Sequence, residues 1–374
     1  MMGEKDYISS FDEYLRQGEL SKRESAANWQ AAIGLQAVDG LRPSAYLLEV
    51  AGRNIEGEIT LEESRRLIDS YYKSKTARTP KEDEEEEADK VAANIARILK
   101  SRTFAFNTNG YVSLHRRIFD GVFKHAGEIR KYDITKREWV LAGDTVNYLN
   151  WEDLRQALDW DIEREKKFSY LGLTEDEKIE HIAKFVSGIW QIHAFCEGNT
   201  RTTAVFAIQY LRTLGFNVDN RMFALHSWYF RNALVRANYR NVRKDIDYTP
   251  IYLVRFFRNL LLGEKWDLRN RYLHIEAAGE WRCQGKVKTE SGGVNSPNGG
   301  VKDEKGGVSG GVNLEDVLLN AVVEHPGSNA PTLSKIVQKS LRTVQRYLKG
   351  LADKGKIEFR GAPKTGGYWP VGMA

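Results

Sequence analysis

Residues 192–202 read IHAFCEGNTRT, and the segments on either side decide what this stretch must be. Upstream, TEDEKIEHIAKFVSGIWQIHAF places Thr174 and Glu177 in the spacing of a capping box and then carries apolar residues at helical intervals. Downstream, TRTTAVFAIQYLRTLGF resumes that spacing and stops at Gly215. The stretch is therefore a tight loop that ends one helix and begins another.

That position gives its residues a chemistry. A helix N-terminus offers unpaired N–H groups and a partial positive charge, which together form an anion site. Gly198 lets backbone approach a ligand closely, Asn199 can fix the loop by bonding its own backbone, and Arg201 adds a charged fork suited to phosphate oxygens. Glu197 is a hard oxygen ligand of the kind that shares a Mg²⁺ with phosphates. His193 can take a proton from an attacking hydroxyl near neutral pH. Taken singly, each of these is a common surface or capping residue. As a set, they point to metal-assisted transfer of a phosphate-containing group to an alcohol.

The flanking chain reads as mainly helical. Segments such as PSAYLLEVAGRNIEG and TLEESRRLIDSYY carry helical apolar spacing, and Thr60 with Glu63 forms another capping-box pattern. The acidic run KEDEEEEADK (81–90) reads as a solvated loop or helix beginning. Residues 128–150, EIRKYDITKREWVLAGDTVNYLN, break the helical period with aromatic and β-branched residues and a Gly-Asp pair, so a short hairpin is expected there. With 374 residues, 41% of them apolar, the chain can support two or three domains. Two cysteines, Cys196 and Cys283, build no disulfide framework. No run of eighteen apolar residues occurs, so a cytoplasmic protein without a membrane span is expected. The net charge of +5 argues neither for nor against a nucleic-acid partner.

Residues 193–201, His-Ala-Phe-Cys-Glu-Gly-Asn-Thr-Arg, resemble the Fic motif H-P-F-x-[D/E]-G-N-G-R-x-x-R, and residues 90 to 282 resemble the Fic core. The resemblance implies a helical domain that transfers AMP from ATP to a Ser, Thr or Tyr hydroxyl of a target protein. It implies His193 as the base, Glu197 as the Mg²⁺ ligand, and Gly198, Asn199, Thr200 and Arg201 at the nucleotide phosphates, with Phe195 as the buried anchor of that nucleotide loop. It makes 128–150 a flap that pairs with the target segment through backbone. Ala194, Thr200 and Ala204 depart from the motif. The family's inhibitory helix, [S/T]-x-x-x-E-[G/N], has two imperfect counterparts: Gly52 before Glu56-Gly57, and Leu35 before Asp39-Gly40. With Ala204 in place of the arginine that such a carboxylate meets, restraint by the family's usual ion pair is not expected.

Beyond the core, residues 285–312 repeat Gly-Gly-Val four times with almost no large apolar side chain, the composition of a flexible linker. Residues 313–374 then read as three helices and a two-stranded hairpin, the order of a winged helix-turn-helix. This tail holds nine Lys/Arg against five Asp/Glu. Arg342, Arg346 and Lys349 recur at helical spacing on the presumed recognition helix, which suits duplex DNA. The domains expected are 1–89, an N-terminal helical region; 90–284, catalytic; 285–312, linker; and 313–374, winged helix. The leading function is a protein adenylyltransferase using ATP and Mg²⁺. The alternatives are a DNA-binding regulator whose weakened core senses nucleotide, and a transferase for another nucleotide or phosphate-linked group.

Overall fold

In a computed structural model, the described residues are 11–75, 79–101, 103–218, 220–277, 318–319, 321–323, 325–337, 341–353, 356–360 and 366–371. They form two units, one within 1–291 and one within 292–374. The Gly-Gly-Val linker at 285–312 and Cys283 lie outside the described residues.

The first unit is helical. Its elements are α1 (Asp12–Gln17), α2 (Leu20–Gly34), a 3-10 turn (Leu35–Asp39), α3 (Ala45–Glu56), α4 (Leu61–Ser74), α5 (Pro80–Lys100), α6 (Thr108–Ile118), α7 (Leu154–Lys166), α8 (Glu175–Ile192), α9 (Asn199–Thr213), α10 (Asn220–Ala237) and α11 (Ile251–Leu262). The capping boxes at Thr60/Glu63 and Thr174/Glu177 both form. A third, Thr79/Glu82, starts α5, so the acidic run is the first turns of a helix whose carboxylates sit at the positive end of its dipole.

Helix α9 is buried on every side from Asn199 to Leu211, which makes it the axis of the unit. Around it, Phe106 stacks on Phe206 and Tyr210, with ring centroids 5.6 Å and 4.6 Å apart. Helix α5 packs on α2 and α6, and α10 packs on α2 and α11. The loop at 193–198 is thus seated on a rigid support, since the helix it starts has no free face.

Residues 128–150 turn back on themselves where a hairpin was expected, but the described chain forms no strand ladder there. Two backbone bonds close the tip, Glu138 N–H to Asp144 O at 2.9 Å and Gly143 N–H to Glu138 O at 3.0 Å, around a 3-10 turn at Trp139–Leu141. The reason lies in the tip itself: Val140 and Leu141 are buried, and Ile275 N–H bonds Val140 O at 2.9 Å. These contacts draw the tip toward the core and away from the flat geometry that a ladder needs.

In the second unit, α12 (Ala330–Ile336) and α13 (Leu341–Asp353) precede the strands β1 (Ile357–Arg360) and β2 (Gly367–Pro370). The strands pair antiparallel, Ile357 opposite Pro370 and Arg360 opposite Gly367. Ser328 adds a bridge to Tyr368 outside the two strands. Val344, Leu348 and Leu351 put one face of α13 into a small core with Leu318, Val322, Leu333 and Ile357, while Lys349 is exposed.

Candidate active site

His193 ends α8 in the left-handed region, at φ 51° and ψ 56°. This conformation is uncommon for a non-glycine residue. Two contacts from Arg130 hold the turn: its guanidinium Nε–H bonds His193 O at 2.8 Å, and its backbone N–H bonds Ala194 O at 2.9 Å. Arg130, itself buried, also reaches Tyr132 O and Leu149 O, so one side chain ties both arms of the 128–150 segment to the turn.

The His193 ring is only 3% exposed and lies against Tyr148, centroids 4.1 Å apart. Its Nδ1 is 3.3 Å from Trp190 O, a geometry in which Nδ1 carries the proton and donates. Nε2 is then left as a buried lone pair with no protein partner. Burial, and secondarily the charge of Lys136, pushes the imidazole well below its usual pKa range, so it is neutral at neutral pH.

Phe195 is fully buried and stacks on His115 at 3.8 Å. Asn199 closes the loop: its Oδ1 accepts from Phe195 N–H at 2.9 Å, and its Nδ2 donates to Phe195 O at 2.6 Å. Gly198 has φ 76°, and a Cβ there would stand 2.1 Å from the Phe119 ring, so both conformation and space require glycine. Thr200, buried, accepts from Trp190 Nε1–H at 3.0 Å, so its hydroxyl serves the α8–α9 packing. Further support comes from His115. Gly127 N–H donates to its Nδ1 at 2.8 Å, and its Nε2, at 3.0 Å, donates to Glu197 O.

Arg201 is 1% exposed and lies over the Phe119 ring. It is committed to three partners: Asp39 at 2.8 Å, Glu87 at 2.8 Å and Gln36 at 3.1 Å. This is not the pair whose arginine Ala204 replaces, because Asp39 meets Arg201 instead. The 3-10 turn Leu35–Asp39 delivers that carboxylate to Arg201. Glu56 pairs instead with Lys22 at 2.5 Å.

Glu197 is half exposed, and Lys136 Nζ lies 2.8 Å and 3.0 Å from its two oxygens. Among the described residues no group of three or more His, Cys, Asp or Glu side chains could hold a metal unaided. A single accessible carboxylate does fit an ion whose remaining ligands are phosphates and water. Among the described residues, too, no helix is long and apolar enough to cross a membrane. Arg130, Lys136, His115, Phe119, Gln36 and Glu87 escaped the sequence reading, because each comes from a distant segment and has no spacing relative to the motif. Only Asp39 carried a signal, the Asp-Gly of an imperfect motif.

Residues 105–211 match the model of the Fic/DOC family. Protein adenylyltransferase VbhT of Bartonella schoenbuchensis is 24% identical over 186 residues, covering 48% of this chain and 36% of its own length. The chain thus spans about a third of that curated relative. Among solved structures, the N-terminal Fic domain of a Bartonella effector protein from Bartonella sp. AR 15-3 is 18% identical, with 50% of this chain and 84% of that one covered, at a TM-score of 0.40. A Fic family protein from Desulfovibrio desulfuricans G20 is 13% identical, with 100% and 98% covered, at a TM-score of 0.44. Both superpositions are loose.

Proposed function

We propose that this chain, which carries a Fic/DOC family domain over residues 105–211, is a protein adenylyltransferase that moves AMP from ATP to a Ser, Thr or Tyr hydroxyl of a target protein. The observation that carries the reading is His193, a neutral imidazole with its Nε2 buried and unpartnered beside the start of α9. An unpartnered buried polar atom costs about 1–3 kcal/mol, and an incoming hydroxyl would satisfy it.

In the proposed step the target oxygen bonds to the α-phosphorus, and the bond from that phosphorus to the β-bridging oxygen breaks. Pyrophosphate leaves, and the hydroxyl proton passes to His193 Nε2. The first-turn N–H groups of α9 and the Arg201 guanidinium hold the phosphates, with Gly198 allowing their approach and Asn199 fixing the turn. Glu197 would hold the Mg²⁺, which supplies charge neutralisation at the phosphates. The 128–150 segment, tied to the turn by Arg130, would present the target backbone.

The second unit we read as a winged helix-turn-helix, from its order of α12, α13, β1 and β2. One observation favours the alternative of a nucleotide-sensing regulator: Arg201 is already held by two carboxylates, so phosphates must compete for it. The experiment that tests the leading reading uses the purified chain, a cell extract as target source, Mg²⁺, and ATP labelled at either the α or the γ phosphorus. Protein-bound label from α-labelled ATP alone supports nucleotidyl transfer. Label from γ-labelled ATP would replace it with phosphoryl transfer, and label from neither, with retained ATP binding, would favour the regulator.

A further inference from the structure

Two cations at the start of α9 could meet a polyphosphate, and both are already paired. Arg201 is the cation of the loop itself, and its guanidinium faces Asp39 and Glu87. Glu197 adds a third carboxylate. Against these stands Lys136, whose Nζ bridges both oxygens of Glu197 at 2.8 Å and 3.0 Å. Both cations are thus already paired with carboxylates, Arg201 with Asp39 and Glu87 and Lys136 with Glu197, and phosphates entering the site must compete for them.

The two cations differ in what they can do. Arg201 is buried, forked among three partners and pressed on Phe119, so its release would strip two carboxylates of their cation. Lys136 has 28% of its side chain exposed, pairs with a carboxylate that is itself 47% exposed, and sits on a four-carbon stem. It belongs to the segment that Arg130 ties to the His193 turn, six positions further along, so its base is fixed beside the site while its end can move. Its charge already reaches the reacting group, being the second cause of the lowered pKa of His193.

We propose that Lys136 is a phosphate-binding residue: on entry of the nucleotide its ammonium leaves Glu197 for the phosphate chain and frees that carboxylate for the metal. This rests on the nucleotide-transfer reading and adds a specific cation to it. A point charge on a flexible stem suits phosphate oxygens in more than one arrangement, and the exchange keeps Glu197 paired while the site is empty.

The test is calorimetric titration of the full chain with ATP, with inorganic tripolyphosphate and with adenosine, each in EDTA and in Mg²⁺, for wild type, Lys136→Met and Lys136→Arg. Loss of one charge-assisted contact should weaken ATP and tripolyphosphate by about tenfold or more in the methionine variant, with adenosine unchanged and the arginine variant keeping most of the affinity. Equal ATP affinity in wild type and Lys136→Met overturns the role of Lys136 and leaves the transfer reading standing. An equal loss for adenosine also overturns it, since the effect would then not be on phosphate. Wild type that binds neither ATP nor tripolyphosphate overturns both.

Discussion

His193 and Arg201 show how far a motif can be read without its neighbours. The spacing of His, Glu, Gly, Asn and Arg was enough to place a turn before a helix, and the local devices that close it, the Asn199 amide on Phe195 and the glycine at φ 76°, follow from residue type. What holds the turn in place was not legible, because Arg130, His115 and Phe119 meet it only through the fold. The same is true of Arg201, whose partners Asp39 and Glu87 come from 162 and 114 positions upstream. That clamp predicts a measurable competition. Asp39→Asn removes one carboxylate from a buried guanidinium, so ATP should bind more tightly in calorimetric titration. Thermal stability should fall by roughly 1–3 kcal/mol through the weakened pair. Unchanged affinity with lowered stability would make Asp39 a structural partner alone.

Helix α6 contributes the pH response of the site. Burial, against the opposing bond to Glu197 O, lowers the pKa of His115 to about 4, so the folded protein holds this ring neutral where an exposed imidazole would already be charged. A group whose folded pKa lies below its unfolded value stabilises the fold above the unfolded value and loses that contribution as pH falls. His115 should therefore weaken the protein between about pH 6.5 and pH 4, by at most roughly 3 kcal/mol, with His193 acting in the same direction. Asp89 on α5 opposes them. Burial raises its carboxyl to about 6 despite bonds from Ser44 and Tyr72, which costs stability as pH rises from about 4 to 6. Unfolding midpoints against pH separate the two: His115→Gln should be less stable at pH 7 but lose less than wild type on acidification. An identical acid loss in both would contradict the assignment. The elements themselves were largely legible, since capping boxes and helical periodicity are local. The 128–150 segment was not, because its aromatic and β-branched residues are shared by strands and by a loop whose Val140 and Leu141 are pulled into the core.

At the level of the whole chain, the described residues make two units, each with its own core. The tail's surplus of Lys and Arg motivates the proposal that it binds duplex DNA. Fluorescence anisotropy of the full chain with labelled duplex across a salt series checks this. Arg342→Ala/Arg346→Ala should weaken binding and flatten the slope of log K against log salt by roughly 0.9 per lost phosphate contact. An unchanged slope would make the tail a protein-docking module.

The central claim, that His193 takes the proton in nucleotidyl transfer, is met most directly by the initial rate of label transfer from α-labelled ATP for wild type and His193→Ala, with ATP affinity measured on the same samples. Loss of a general base should lower the rate by about 10²–10⁴-fold with ATP affinity unchanged. Equal rates in the two proteins, at equal ATP occupancy, would contradict it.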